Sequence, residues 1–226
     1  VGSGDETIRV WDLERGVQVG EANKTGLNTS FAVSSDGCWL LTGSSDSKIR
    51  GLLWELDPKG ESSPKLVHRL MGKPGQEGVS SYSISSDSRL LFTGDDFGIG
   101  LVWDRETGQQ IGEPIVNMRG SRINDAVFSR DGNSILIAAD NAAVTQIDLQ
   151  RRVEGLRLEQ LGYVVKLSIT EDEQYLLTVG ELASETYIKT FATLWDLKSG
   201  MGKILDLTVT PRVRESDTVS RARITS

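Results

Sequence analysis

"GDETIRVWD", Gly4 to Asp12, returns in expanded form as "GDDFGIGLVWD", Gly94 to Asp104. Each copy holds an Asp in a turn, a short β-branched run and a closing Trp-Asp pair, which is the pattern of a turn followed by a strand. The ending recurs at Trp11-Asp12, Trp54-Glu55, Trp103-Asp104, Ile147-Asp148 and Trp195-Asp196, at separations of 43, 49, 44 and 48 residues.

A period in the forties made of short strands predicts the blades of a β-propeller; helical arrays of similar period need amphipathic helices, for which the sequence has no pattern. Each unit divides into four strands, a to d. Strand a is "NTSFAVSSDG" from Asn28, "VSSYSISSDS" from Val79, "INDAVFSRDG" from Ile123 and "VVKLSITEDE" from Val164, each ending in a polar turn. Asp36-Gly37 and Asp131-Gly132 predict two-residue hairpin turns, because Gly accepts positive φ and Asp bonds to nearby backbone. Strand b is "CWLLTG", "RLLFTG", "SILIAA" and "YLLTVG", near-continuous apolar runs that predict burial on both faces, with Leu41, Leu91, Ile135 and Leu177 inside. Strand c carries the Trp-Asp ending, and strand d is a weaker outer edge such as "VQVGEA" or "QQIGEP".

Of the 226 residues 38% are hydrophobic, and 24 are Gly against 5 Pro, enough for a sizeable core and many tight turns. The formal charge of −7 argues against a surface that holds nucleic acid by phosphate neutralisation. A single cysteine, Cys38, excludes an internal disulfide, and its apolar neighbours predict a buried, inert thiol in a reducing compartment, the cytoplasm or the nucleus. No apolar run is long enough to span a membrane and no leader opens the sequence, so neither insertion nor secretion is expected.

"GSGDETIRVWDL", "LLTGSSD" and "FTGDDFGIGLVWDRETGQQIGEP" together resemble the WD-repeat (WD40) β-propellers over essentially the whole chain. "TGQQIGEP" from Thr107 is also similar to segments of long fungal arrays of such repeats, some attached to nucleotide-binding signalling ATPases. The resemblance implies a tetrad in each blade: a His before strand a, a Ser or Thr, an Asp in the b–c turn and the Trp. Asp5, Asp46, Asp95 or Asp96, and Asp140 match the Asp; Thr42 and Thr93 match the hydroxyl; Trp11, Trp54, Trp103 and Trp195 match the Trp. The only His, His68, lies in no such place, so the tetrads are incomplete, and Ile147 in the Trp position predicts a diverged, weaker fourth unit.

The expected architecture is all-β: a c–d pair within 1–27, complete four-stranded blades near 28–77, 78–120, 121–161 and 162–211, and a lone strand a in 212–226. Joining that last strand to the first pair would leave a gap where strand b belongs, with unpaired backbone in a packed blade. A section of a longer ring is therefore preferred to a closed five-bladed ring, and the resemblance to WD-repeat propellers implies seven blades. Loop insertions at Asp57–Leu66, Gly72–Gly78 and Gly180–Phe191 mark candidate functional loops.

No catalytic, cofactor or metal site is expected. A catalytic triad would have to use His68, which reads as an edge-strand residue. Zinc needs more than one Cys and one His. The acidic "GDD" and "TEDE" are explained by turn chemistry without calcium. The remaining constellation is basic. In propellers of the resembled family the d–a and b–c loops open on one rim, and Arg119 and Arg122, Arg212 and Arg214, and Lys73 fall in three d–a connections. Planar bidentate pairing by Arg suits an acidic or phosphorylated peptide. The resulting expectation is a non-catalytic protein-interaction scaffold, part of a larger chain or complex. The alternative is a small-molecule or carbohydrate receptor in which Phe97 and Tyr163, near that rim, stack on a ring.

Overall fold

The structure is a computed structural model that describes residues 7–25, 30–44, 46, 48–59, 62–72, 78–116, 120–184 and 187–211. Among these residues every helix or strand is a strand, and the strands form five antiparallel sheets in chain order. The first pairs β1 (Thr7–Asp12) with β2 (Val17–Lys24). The second is β3 (Phe31–Val33), β4 (Trp39–Thr42), β5 (Ile49–Glu55) and β6 (Lys65–Met71). The third is β7 (Val79–Ile84), β8 (Leu90–Asp95), β9 (Ile99–Asp104) and β10 (Ile115–Val116). The fourth is β11 (Ile123–Phe128), β12 (Ser134–Ala139), β13 (Ala143–Asp148) and β14 (Glu154–Glu159). The fifth is β15 (Tyr163–Ile169), β16 (Tyr175–Ala183), β17 (Tyr187–Asp196) and β18 (Met201–Pro211). The lone strand expected in 212–226 lies outside the described residues.

One turn chemistry joins the first two strands of every four-stranded sheet. Ser34, Ser85, Ser129 and Thr170 each donate a hydroxyl hydrogen bond to the carboxylate two residues on, at Asp36, Asp87, Asp131 and Asp172. Each of those carboxylates accepts the backbone N–H of Cys38, Arg89, Asn133 or Gln174. The bridged hairpin is wider than the two-residue turn expected from Asp-Gly: Ser34 N–H reaches the Trp39 carbonyl across four residues, and Gly37 takes φ 70°. The side-chain bridge supplies backbone partners that a tight turn would otherwise have supplied. Cys38 lies in this turn, half-buried and outside β4, which corrects the expectation of a buried thiol. Desolvation first, then the Asp36 carboxylate, pushes its pKa up.

The second and third strands are apolar on both faces because an inner sheet, such as the third, is packed on both sides. Leu91 and Trp103 join Leu41, Leu53 and Leu70 of the second sheet, whereas Phe92 and Val102 join Ile123, Ile135 and Ile137 of the fourth. Leu41, Leu91 and Ile135 are fully buried, as the sequence predicts. Leu177 is only half-buried; the buried residue is Leu176, which like Leu91 pairs opposite the tryptophan. Leu177 stands on the face equivalent to Phe92, and no described sheet lies in front of it.

A hydrogen bond ties these strands in three sheets. Indole Nε1 donates to a threonine Oγ1 from Trp54 to Thr42 at 3.1 Å, Trp103 to Thr93 at 3.1 Å and Trp195 to Thr178 at 3.0 Å. The fourth sheet replaces both partners together. Ile137 and Ile147 stand in the equivalent pairing positions and are buried in one cluster with Phe128 and Ile135. The paired replacement leaves neither an indole N–H nor a threonine hydroxyl without its partner at this point, and the fourth sheet keeps all four strands. In the first sheet Trp11 remains 52% exposed.

Two insertions take on structure. Within Gly180–Phe191, Gly180–Ala183 and Tyr187–Phe191 extend β16 and β17, with β17 paired on both sides from Tyr187 to Asp196. From the Asp57–Leu66 insertion, Ser63 Oγ accepts the Glu21 N–H at 3.2 Å, linking the second sheet to the first.

Candidate functional site

The first strands of successive sheets, β3, β7, β11 and β15, pack side by side. Polar side chains set the spacing. Ser80 Oγ donates to the Ile123 carbonyl at 2.8 Å and Asn124 Nδ2 donates to the Val164 carbonyl at 2.8 Å, the same contact repeated one sheet further on. Asp125 accepts the Leu167 N–H at 2.9 Å and pairs with Lys166 at 3.2 Å. Burial raises the Asp125 pKa, and its bonds to Leu167 and Lys166 offset part of that effect.

At one end of these strands a cleft of about 330 Å³ opens, lined by Ser30 from the second sheet's entry, Ser80 from the third, Arg122 and Asn124 from the fourth, and Tyr163, Lys166 and Glu181 from the fifth. Four sheets that contribute to one small cavity must curve around a common line, so the cleft marks an axial mouth. Arg122 Nε lies 3.1 Å from Asp96, with both side chains about half exposed at 49% and 45%. Tyr163 donates its hydroxyl to Glu181 at 2.8 Å.

Of the residues singled out from sequence, Arg122 and Tyr163 meet in this cleft. Phe97 is exposed on the β8–β9 turn and is not part of the lining. Arg119, Arg212, Arg214 and Lys73 lie outside the described residues. Sequence reasoning missed Asn124, Lys166 and Glu181. A signal was present for Asn124, which occupies the same strand-a position as Ser80 one unit earlier.

The b–c turn of the third sheet resolves the choice between Asp95 and Asp96. Asp95 is fully buried; its Oδ1 accepts the N–H groups of Phe97 at 3.0 Å and Ile99 at 2.7 Å, and its Oδ2 meets Arg50 Nη1 of the second sheet at 3.0 Å. Both side chains of that ion pair are 0% exposed. Asp96 instead faces the rim and holds Arg122. His68 lies on outer strand β6, with Nε2 2.9 Å from the Glu106 carbonyl. Among the described residues no three His, Cys, Asp or Glu side chains are grouped to hold a metal ion, and no helix is long and apolar enough to cross a membrane.

A family model described as "WD domain, G-beta repeat" matches residues 20–50, from within β2 through β3 and β4 to the first residues of β5. By sequence, residues 20–50 match a WD40 repeat. No curated protein matches the chain, whereas 1386 solved chains do, a breadth that makes structural similarity uninformative about function. One of these is Kuenenia stuttgartiensis hydrazine synthase, with a TM-score of 0.62 and 16% identity over 80% of this chain. The match spans 48% of that protein's chain, and at this identity it shows the fold alone. Against the WD40 tetrad, the hydroxyl-indole bond is kept in three sheets, and Gln160 takes the place of the histidine in the fifth, accepting the Thr178 hydroxyl at 2.7 Å.

Proposed function

We propose that the five sheets are consecutive blades of a seven-bladed WD40 propeller that serves as a non-catalytic scaffold, with the axial mouth taking an acidic or phosphorylated peptide from a partner protein. WD40 repeats generally mediate protein–protein interactions, and the side-by-side first strands support the blade reading. The observation that carries the peptide reading is the Arg122–Asp96 pair. Half-exposed pairs of this kind contribute about 0–1 kcal/mol, so an incoming carboxylate or phosphate displaces Asp96 at little cost and gains a planar bidentate partner. Lys166, 65% exposed, adds a second cation in the same cleft. The basic connections at Arg119, Arg212, Arg214 and Lys73 would extend this surface. Soluble residence in the cytoplasm or nucleus accords with one unpaired cysteine.

Binding of fluorescein-labelled acidic and phosphorylated peptides, followed by anisotropy, tests the reading. Arg122→Glu with Lys166→Glu should weaken binding at least tenfold, and wild-type affinity should fall between low and physiological salt. Binding indifferent to both changes would remove the mouth as the contact surface.

A further inference from the structure

A second cavity, of about 470 Å³, lies between the end of β14 with the loop that follows it and one face of β16, β17 and β18. Its walls are apolar. Phe191 and Trp195 are buried in it, while Leu161 and Ile204 stand 71% and 58% exposed at its edge. Gly202 keeps the indole face bare, since a Cβ there would lie 2.6 Å from the Trp195 ring.

The polar groups in this groove are unsatisfied in a definite sense. Thr178 Oγ1 accepts the Trp195 N–H and donates to Gln160 Oε1 at 2.7 Å, in preference to the Thr193 carbonyl at 3.5 Å. This chain of bonds fixes the amide orientation and leaves Gln160 Nε2 buried with no hydrogen-bond partner. Thr193, which is 4% exposed, has its Oγ1 in the same condition. Two buried, unpartnered polar groups lining one cavity are uncommon in a folded protein and mark a place where a ligand's acceptor completes the bonding.

Charge gives the ligand its sign. Glu159 is neutralised by Arg157 at 3.0 Å, whereas Lys189 has only the Tyr187 ring, 5.0 Å away, as a described partner. Lys189 and Thr193 project from the same face of β17 four residues apart, about 13 Å at ~3.3 Å per residue. A ligand touching both therefore carries two separate acceptor groups.

We propose that this groove binds small amphipathic carboxylates of the N-acyl amino acid kind. The apolar side chain packs on Trp195 and Phe191, the acyl carbonyl accepts from Gln160 and Thr193, and the carboxylate faces Lys189. The proposal is independent of peptide binding at the axial mouth.

Titration of the whole chain with N-acetyl-L-phenylalanine and with N-acetyl-L-phenylalaninamide, read by tryptophan fluorescence and thermal shift, tests it. The acid should bind saturably and at least tenfold more tightly than the amide. Lys189→Gln, a change at a partly exposed position that spares the core, should abolish that difference. Thr193→Val should weaken both probes. Failure of the acid to bind, or equal affinity for acid and amide in the wild type, would overturn the proposal.

Discussion

Replacing Asp95 by Asn should destabilise the protein far more than a change of two atoms suggests. Asn keeps an oxygen for the N–H groups of Phe97 and Ile99, so the turn cap survives. The atom facing Arg50 Nη1 becomes an NH2 group, however, and a guanidinium with 0% exposure is left opposite a donor. Breaking one side of a buried ion pair costs about 3–5 kcal/mol, because the remaining charge loses its carboxylate in a site closed to water. With a denaturant slope of about 3 kcal/mol/M, the urea midpoint should fall by roughly 1 to 1.7 M. The double variant Arg50→Met, Asp95→Asn removes the stranded charge and should recover more than half of that loss, since apolar replacement of a buried pair is often neutral. Urea unfolding followed by tryptophan fluorescence provides the assay, with Trp103 in the same inter-sheet cluster as a reporter. A midpoint shift below about 0.3 M for Asp95→Asn, or a double variant less stable than the single, would refute the reasoning.

Thr93→Val leaves the Trp103 N–H buried without an acceptor and should cost about 1–3 kcal/mol, and Ile137→Thr should cost a similar amount by placing a lone hydroxyl in an aliphatic cluster. Both are checked by denaturation midpoints. Leu91→Ala should cost about 2–5 kcal/mol, and Leu177→Ala clearly less, because Leu91 is 0% exposed and Leu177 is half-buried. Acid should destabilise the protein below about pH 4. Hydroxyl donation from Ser34, Ser129 and Thr170 lowers the pKa of Asp36, Asp131 and Asp172, so their contribution is present above the ordinary carboxylate value and lost as pH falls through the depressed ones. Asp125, whose pKa burial raises, works in the opposite sense and loses stability as pH rises through its raised value. Asp125→Asn should therefore flatten the midpoint-versus-pH curve above pH 4, whereas Ser129→Ala should flatten it below.

The periodic Trp-Asp ending was enough to place the sheets in order, because a large ring that closes each unit recurs at a fixed point of the chain. The threonine partners were legible where Thr-Gly follows the apolar run, as at Thr42 and Thr93. Thr178 escaped because Val179 intervenes before Gly180. Strand direction, not composition, separates Leu176 from Leu177, and a single-residue offset in pairing was invisible in "YLLTVG". The joint replacement by Ile137 and Ile147 looked like loss of a motif, although two apolar changes made together leave no polar atom unpaired. Least legible was the axial cleft. Arg122 and Tyr163 stood out by residue type, but Lys166 and Glu181 enter through the geometry of neighbouring strands that no local pattern records. Gly180–Phe191 reads as a loop from its length, whereas its described ends prolong the hairpin of β16 and β17, a pairing that depends on neighbouring strands rather than on local composition.

The most direct test of the account is a distance between the two ends of the arc of first strands. Ser30, before β3, and Lys166, in β15, belong to the second and fifth sheets yet line one cleft of about 330 Å³. Sheets stacked in a straight row at about 10 Å per layer would put them roughly 30 Å apart. Spin labels on Ser30→Cys and Lys166→Cys, in a Cys38→Ser background, report the separation by double electron–electron resonance. The account predicts a distribution centred below about 20 Å, label arms included, and a distribution centred at about 30 Å or beyond would contradict the curvature on which the blade assignment and the axial mouth both depend.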